Sequence, residues 1–139
     1  MLFSQSHQPY MLYRIIKQYY KSIIIALLII WLSLSGSKTM VPGRMLDIPY
    51  IDKMGHFAMY AFFSAVLLLD SCRWQLNRSF IYPLMLIPLL FGAMMEIMQM
   101  TLTTSRRAET FDLLANIGGV LAGLLLAYLA RMVLARLKA

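Results

Sequence analysis

The chain has 139 residues, of which 60% are hydrophobic and 14% charged, and its mean hydropathy is +0.68. This composition is too apolar for an ordinary soluble domain and excludes most soluble enzymes and binding modules. A transmembrane helix needs about 20 predominantly apolar residues, so the chain has room for about four spans joined by short loops. We therefore expect one membrane domain covering residues 1–139.

The net charge of +7 does not indicate nucleic-acid binding, because the sequence has no long basic run and no basic helix interleaved with aromatic residues. The positive residues instead flank the apolar runs, with eight on one side of the membrane and five on the other. Under the positive-inside rule this asymmetry predicts that both termini are cytoplasmic. The eight are Arg14, Lys17, Lys21, Arg73, Arg78, Arg131, Arg136 and Lys138, and the five are Lys38, Arg44, Lys53, Arg106 and Arg107.

The first predicted span covers about residues 22–37 and follows a lead rich in lysine and tyrosine. A secretory signal peptide also has positive residues before a short apolar region. The long aromatic lead favours an anchored helix, since tyrosine is enriched at membrane interfaces. Residues 35–50 contain two glycines and two prolines, which indicate a loop.

The second predicted span, about residues 51–69, opens on a polar string and then turns apolar. Residues 70–80 have the composition of a polar cytoplasmic turn. The third span, about 80–100, contains Pro88, and the fourth covers about 111–130. The sequence therefore predicts an all-α fold, a transmembrane four-helix bundle.

Polar side chains at the outer ends of three predicted spans are the best indication of function. Ionisable groups within or beside a span cost free energy, so they usually face the bundle interior or a wet cavity. Spacings of three and four residues place the polar groups of each helix on one face, and an arginine lies in the loop between the third and fourth spans. We predict a ligand-binding site formed by Lys53, His56, Tyr60, Glu96, Gln99, Arg106, Asp112 and Asn116.

Some of these residues also have simpler explanations. Asp112 suits the positive end of a helix dipole, and the Lys53 ammonium could extend to the lipid headgroups. Glu96 is harder to explain in this way, because it follows the apolar stretch MLIPLLFGAMM and needs a partner or a proton. Gly119 and Gly123 share the polar stripe of the fourth span, and their spacing predicts close packing of that helix against a neighbour.

No metal or cofactor is expected. The sequence has no HExxH motif and no second histidine near His56, and Lys53 and Arg106 would repel a cation. It also has no GxSxG elbow and no glycine-rich phosphate loop. Catalysis is therefore less favoured than binding, with Glu96 and His56 as the candidate acid and base.

These residues resemble the VanZ-like family of small bacterial membrane proteins. The resemblance covers roughly residues 22–130. Arg106 matches the family's arginine six positions before the aspartate, and Arg107 is an alternative match. The resemblance implies a multi-pass four-helix protein of the bacterial inner membrane and, through the member that gave the family its name, a link to teicoplanin resistance. It does not imply a settled reaction. The matching residues are Asp52-Lys53-x-x-His56-x-x-x-Tyr60, Glu96-x-x-Gln99, Arg106, Asp112, Asn116, Gly119 and Gly123.

Three functions are compatible with the site. The favoured one is binding or modulation of a cell-envelope lipid or lipid-linked cell-wall intermediate, with Lys53, His56 and Arg106 facing an anionic headgroup. The alternative is a membrane enzyme that acts on an envelope lipid or peptide, in which Glu96 is the general acid or base and His56 assists. In a third reading the cluster only holds the helices together. A homo-oligomer is compatible with all three.

Overall fold

The computed structural model of the protein describes residues 8–35, 50–71, 78–102 and 110–137. Within these ranges the chain forms four helices and no strand, and each helix contains a stretch long and apolar enough to cross a membrane. The predicted transmembrane four-helix bundle is thereby confirmed. The helices are α1 (Gln8–Leu34), α2 (Ile51–Ser71), α3 (Arg78–Leu102) and α4 (Thr110–Leu137).

Consecutive helices run in opposite directions. The first half of α1 meets the last turn of α2, where Gln18 Nε2 donates a hydrogen bond to the carbonyl oxygen of Asp70 at 3.0 Å. The start of α4 meets the end of α3, where Asn116 Nδ2 donates to Glu96 Oε1 at 3.1 Å. The bundle therefore has two ends. We call the end with the starts of α2 and α4 the site end, and the end with the start of α1 and the last turns of α2 and α4 the basic end.

Glycines on α4 allow a close approach of α2 and α4, which run parallel. A Cβ atom on Gly119 would overlap the carbonyl oxygen of Phe57, and one on Gly123 would overlap that of Ala61. Because a hydrogen in place of Cβ leaves room for a neighbouring backbone, small residues at a spacing of four are typical of close membrane-helix contacts. The contact predicted from Gly119 and Gly123 is confirmed.

A small hydrophobic core lies between the helices, and the outward faces remain apolar. Ile29, Tyr60, Phe63 and Val120 are buried together, and they bring α1, α2 and α4 into contact. Phe91 joins α3 to this core, with its ring centroid 6.3 Å from that of Tyr60 and 5.4 Å from that of Phe63. This core fixes the orientation of the α2 face that carries the polar residues.

The first helix begins at Gln8, which is 14 residues (22 − 8) before the start of the first predicted span. Pro9 lies in the first turn, where backbone N–H groups have no intrahelical acceptor, so proline costs no hydrogen bond there. No glycine or proline follows until Gly36. The helix therefore continues across the drop in hydropathy that marked the predicted boundary.

The predicted polar turn at residues 70–80 is also partly wrong. Asp70 and Ser71 belong to α2 and are buried, and α3 already begins at Arg78. The backbone N–H and the hydroxyl of Ser22 lie 3.3 and 2.8 Å from Asp70 Oδ2, and the hydroxyl donates to that carboxylate. Because α1 supplies these donors, the carboxylate can be buried within a helix instead of facing water in a loop. α4 likewise extends to Leu137, beyond the predicted end near residue 130.

Candidate functional site

A chain of three buried polar side chains connects α2, α4 and α3 near the site end. His56 Nδ1 lies 3.1 Å from Asn116 Oδ1, and Asn116 Nδ2 donates to Glu96 Oε1 at 3.1 Å. The exposed fractions of His56, Asn116 and Glu96 are 3%, 2% and 8%. Three helices thus contribute one residue each, and the predicted inward orientation of Glu96 agrees with this geometry.

The hydrogen-bond pattern assigns the proton on His56. The Asn116 amide nitrogen can only donate, so it faces the Glu96 carboxylate and turns the amide oxygen toward the imidazole. His56 Nδ1 faces this oxygen and also lies 3.5 Å from Glu96 Oε1, which is another acceptor. Nδ1 therefore carries a hydrogen, as inferred from its acceptors. In the neutral imidazole Nε2 is then the nitrogen with a free lone pair.

Tyr60 lies one turn beyond His56 on the same face of α2, and its buried hydroxyl has no hydrogen-bond partner among the described residues. Gly92 of α3 makes room for the ring. A Cβ atom on Gly92 would lie 3.2 Å from Tyr60 Cε1 and 3.4 Å from Asn116 Nδ2. The tyrosine ring and the asparagine amide therefore contact the same glycine, and the phenol belongs to the neighbourhood of the polar chain.

An ion pair links the first turns of α2 and α4. Lys53 Nζ lies 3.2 Å from Asp112 Oδ1, but the angles are not those of a hydrogen bond, so this buried oxygen has no hydrogen-bond donor within the described ranges. The two groups nevertheless attract each other as opposite charges at short distance, because Coulomb attraction does not depend on the angle. Asp112 also lies in the first turn of α4, where the helix dipole favours a negative charge.

Asp52 is a further acidic residue at this end, although it was not among the predicted ligand-binding residues. One potential ligand atom from each of Asp52, His56 and Asp112 lies within 4.8 Å of the others. Asp52 precedes His56 by four residues, and this helical spacing is the sequence signal that places it on the same face. Such a set could hold a cation, but the Lys53 ammonium already provides positive charge at Asp112 and opposes a metal ion there.

Gln99 joins the end of α1 to α3. Its Nε2 donates to the carbonyl oxygen of Ser33 at 3.1 Å, and both residues are buried. The last four carbonyls of a helix have no intrahelical partner, so this contact satisfies one of them. Gln99 thus has a structural role that its predicted place among the ligand-binding residues did not include.

Seven of the eight predicted site residues lie within the described ranges, and all seven map to the site end. Direct contacts connect His56, Asn116 and Glu96, and a separate contact connects Lys53 and Asp112. The eighth, Arg106, lies outside the described residues, as does its alternative Arg107. The helices on either side of that loop end at Leu102 and begin at Thr110, both at the site end.

Comparisons with known proteins give one match. The model of a family described as VanZ/LLP1 matches residues 2–131. This range contains α1, α2, α3 and most of α4, together with every polar residue of the site end. Searches of curated proteins and of solved structures gave no match.

Proposed function

The chain belongs to the VanZ/LLP1 family, and from this premise we propose that it binds the polar headgroup of a cell-envelope lipid or lipid-linked cell-wall intermediate at its site end. The observation that carries the proposal is the buried Tyr60 hydroxyl, which has no partner in the described part of the chain. An unsatisfied buried hydroxyl costs about 1–3 kcal/mol, and a ligand that accepts its hydrogen bond removes that cost. The hydroxyl thus favours a ligand with an exposed acceptor oxygen.

The chemistry of the neighbouring groups favours a phosphate as this acceptor. The Lys53 ammonium has three donors, so it can contact both Asp112 and a ligand oxygen. Arg106 lies in the sequence between Leu102 and Thr110, where α3 ends and α4 begins, and a guanidinium can bind phosphate through two parallel hydrogen bonds. The positive charges of Lys53 and Arg106 would then face both the phosphate of the headgroup and the carboxylates of the site end.

In this proposal Asn116 and Glu96 position His56. Their oxygens face Nδ1–H, so that the Nε2 lone pair can accept a hydrogen bond from a hydroxyl or amide of the ligand. The same arrangement supports the second candidate function, a membrane enzyme that acts on an envelope lipid or peptide. A histidine held by a third group is typical of a general base, and here Glu96 would assist. Among the described residues, however, no hydroxyl or thiol is hydrogen-bonded to His56, so binding is the better-supported function.

We further propose that both termini are cytoplasmic and that the site end faces the outside of the inner membrane. Among the described residues, five exposed basic side chains lie at the basic end, and this is the side that the positive-inside rule assigns to the cytoplasm. A site at the outer face would meet lipid-linked cell-wall intermediates after their export. A link to glycopeptide resistance follows if the bound lipid is such an intermediate. The five side chains are Arg14, Lys17, Lys21, Arg131 and Arg136.

The decisive experiment compares the lipids retained by the wild type and by Tyr60→Phe. The full chain is purified in mild detergent from bacterial membranes, and bound lipids are identified by mass spectrometry. Loss of one hydrogen bond to a charged phosphate costs about 1.5–3 kcal/mol, so the affinity for the retained lipid should fall about 10-fold to 150-fold. Tyr50→Phe is the matched control, because Tyr50 precedes α2 and is 73% exposed. Equal retention of the same lipid by wild type and Tyr60→Phe would refute the proposal.

A second comparison separates binding from catalysis. Purified wild type and Glu96→Gln are incubated with the lipid that co-purifies, and its conversion is followed by mass spectrometry. Binding alone predicts that both proteins leave the lipid chemically unchanged. Conversion by the wild type that Glu96→Gln abolishes would establish the enzyme instead.

A further inference from the structure

Two buried polar atoms at the site end have no hydrogen-bond partner within the described ranges, and each needs a different kind of partner. The Tyr60 hydroxyl has a hydrogen to donate and needs an acceptor, whereas Asp112 Oδ1 is an acceptor and needs a donor. An ionised phosphate supplies acceptors alone, so it satisfies Tyr60 and leaves Asp112 Oδ1 as it is. A ligand that satisfies both atoms must therefore carry a hydrogen-bond donor in addition to its phosphate.

The surroundings of Asp112 favour a donor with positive charge. Its side chain is 9% exposed, and one of its oxygens lies within 4.8 Å of a carboxylate oxygen of Asp52 and of a ring nitrogen of His56. Because His56 Nδ1–H faces Asn116 and Glu96, the imidazole can accept a further hydrogen bond through Nε2. All three side chains can thus accept from one donor group. We call Asp52, His56 and Asp112 the acceptor triad.

A primary ammonium matches the geometry of the acceptor triad. Its three N–H groups point to corners of a tetrahedron, and hydrogen bonds from an ammonium to a carboxylate are about 2.8 Å long. Three acceptors around one such nitrogen are then about 4.6 Å apart. The triad atoms lie within 4.8 Å of one another. The triad can therefore hold one ammonium with all three of its donors bonded.

Lys53 approaches the acceptor triad from the side and does not complete it. Adjacent residues of a helix do not face each other, so Lys53 and Asp52 leave α2 in different directions. The contact of Lys53 with Asp112 leaves Oδ1 without a hydrogen bond. A carboxylate has room for several donors, so contacts that Asp52 already makes are compatible with a ligand ammonium. Lys53 also repels the single charge of an ammonium less than the double charge of a metal ion.

The triad and Tyr60 are arranged along the bundle axis in the order of a phospholipid headgroup. Asp52 and Asp112 lie in the first turns of α2 and α4, and Tyr60 lies deeper in the bundle. His56 and Tyr60 are one helical turn apart, about 5.4 Å along the axis. In a phospholipid the phosphate likewise lies between the acyl chains and the terminal group of the headgroup. A short linker such as ethanolamine joins an ammonium to a phosphate over a comparable distance.

We propose that the site end binds a phospholipid headgroup of the ethanolamine type, in which the acceptor triad binds the primary ammonium and Tyr60 donates to the phosphate. This inference rests on the proposed function and adds the second group that the ligand carries. It makes Asp52 a ligand-binding residue. A choline headgroup has no N–H donor and a glycerol headgroup has no positive charge, so each satisfies the phosphate contact alone.

The test compares three phospholipids with identical acyl chains. Phosphatidylethanolamine, phosphatidylcholine and phosphatidylglycerol are titrated into the purified, delipidated full chain in mild detergent, and the bound fraction is measured by native mass spectrometry. The wild type should bind phosphatidylethanolamine about 10-fold more tightly than the other two, which is the effect of one charge-assisted hydrogen bond. Phosphatidylcholine is the decisive comparison, because it keeps the phosphate, the linker and the positive charge but lacks the donors.

Substitutions in the triad should reduce this preference. In Asp52→Asn and in Asp112→Asn the preference for ethanolamine over choline should fall to about threefold, because a hydrogen bond to a neutral acceptor is about half as strong. The affinity for phosphatidylglycerol should not decrease. Asp70→Asn is the matched control, since it makes the same change in a buried carboxylate at the basic end and should keep the 10-fold preference.

Equal affinities of the wild type for phosphatidylethanolamine and phosphatidylcholine would overturn the proposal, because a donor without charge, such as water, would then suffice at Asp112. A preference that disappears when a chelator is added would also overturn it, since the triad would then hold a metal ion. The proposed function is judged separately by Tyr60→Phe, which should weaken all three phospholipids alike. If Tyr60→Phe weakens none of them while the preference for ethanolamine persists, the proposed function fails and the ammonium site of the triad stands.

Discussion

Replacement of Asn116 by leucine removes the residue that joins the three helices at the polar site. Leucine has a similar length but neither donor nor acceptor, so Glu96 loses the hydrogen bond from Asn116 and His56 Nδ1 loses its nearer acceptor. The wild-type distances are 3.1 Å for both contacts. His56 keeps Glu96 Oε1 at 3.5 Å as a second acceptor, which can shorten in the variant.

Two estimates limit the expected loss of stability. Hydrogen bonds measured in membrane proteins average about 0.6 kcal/mol, which gives about 1.2 kcal/mol for two contacts. Loss of the donor to a buried charged group costs more, about 1.5–3 kcal/mol, because the carboxylate stays desolvated. Glu96 is 8% exposed, so the second effect should dominate, whereas the remaining contact between His56 and Glu96 offsets part of it. We expect a decrease of about 2 kcal/mol in the free energy of unfolding.

Reversible unfolding in mixed micelles of mild detergent and dodecyl sulfate, followed by tryptophan fluorescence, measures this difference. Ile117→Val is the matched control on the adjacent position of α4, because Ile117 is exposed and a small change there should alter stability by less than about 0.5 kcal/mol. A loss for Asn116→Leu no larger than that of Ile117→Val would refute the role of Asn116 as the link between the helices.

Three further substitutions test the contacts that position the site. Gly119→Ala should lower the free energy of unfolding by about 2–3 kcal/mol, because the added Cβ would overlap a carbonyl oxygen of α2. Gly118→Ala is its control and should have little effect in the same assay, since its Cβ would meet an aromatic carbon of Phe57 at 3.5 Å. Asp70→Ala leaves the Ser22 hydroxyl without its acceptor and should cost about 1–3 kcal/mol; limited proteolysis of α1 no faster than in the wild type would contradict this. Gln99→Leu frees a carbonyl in the last turn of α1, so hydrogen exchange there should accelerate about fivefold by mass spectrometry, and unchanged exchange would exclude a capping role.

The sequence was sufficient to predict four helices and the clustering of the described polar residues at one end of the bundle. Runs of apolar residues indicate spans because backbone groups in a membrane must be satisfied within a helix. Spacings of three and four then place Lys53, His56 and Tyr60 on one face, and the structure places them at the same end as Glu96 and Asn116. The close contact at Gly119 and Gly123 follows from the same reasoning, since the pattern is local and its consequence is steric.

Pairings between helices could not be predicted in this way. In the sequence, Asp70 resembles a loop residue because no partner for it lies nearby. Its donor, Ser22, is 48 positions away, and only the packing of α1 on α2 brings the two together. Gln99 similarly resembles a ligand-binding residue until the end of α1 is placed beside it. The helices extend beyond the predicted spans for a related reason, since hydropathy reports where a segment meets lipid and not where its hydrogen-bonded backbone stops.

The distribution of satisfied and unsatisfied groups supports the proposed binding site over a purely structural cluster. Asn116 bonds both of its neighbours, and Gln99 satisfies a helix end, so these residues account for the joining of helices. The Tyr60 hydroxyl adds nothing to that joining, because it has no partner in the described part of the chain. Phenylalanine would preserve the packing of the ring against Phe91 and avoid the cost of a buried, unbonded hydroxyl. A tyrosine at this position therefore favours the proposed ligand, which would supply an acceptor, over a cluster that serves only stability.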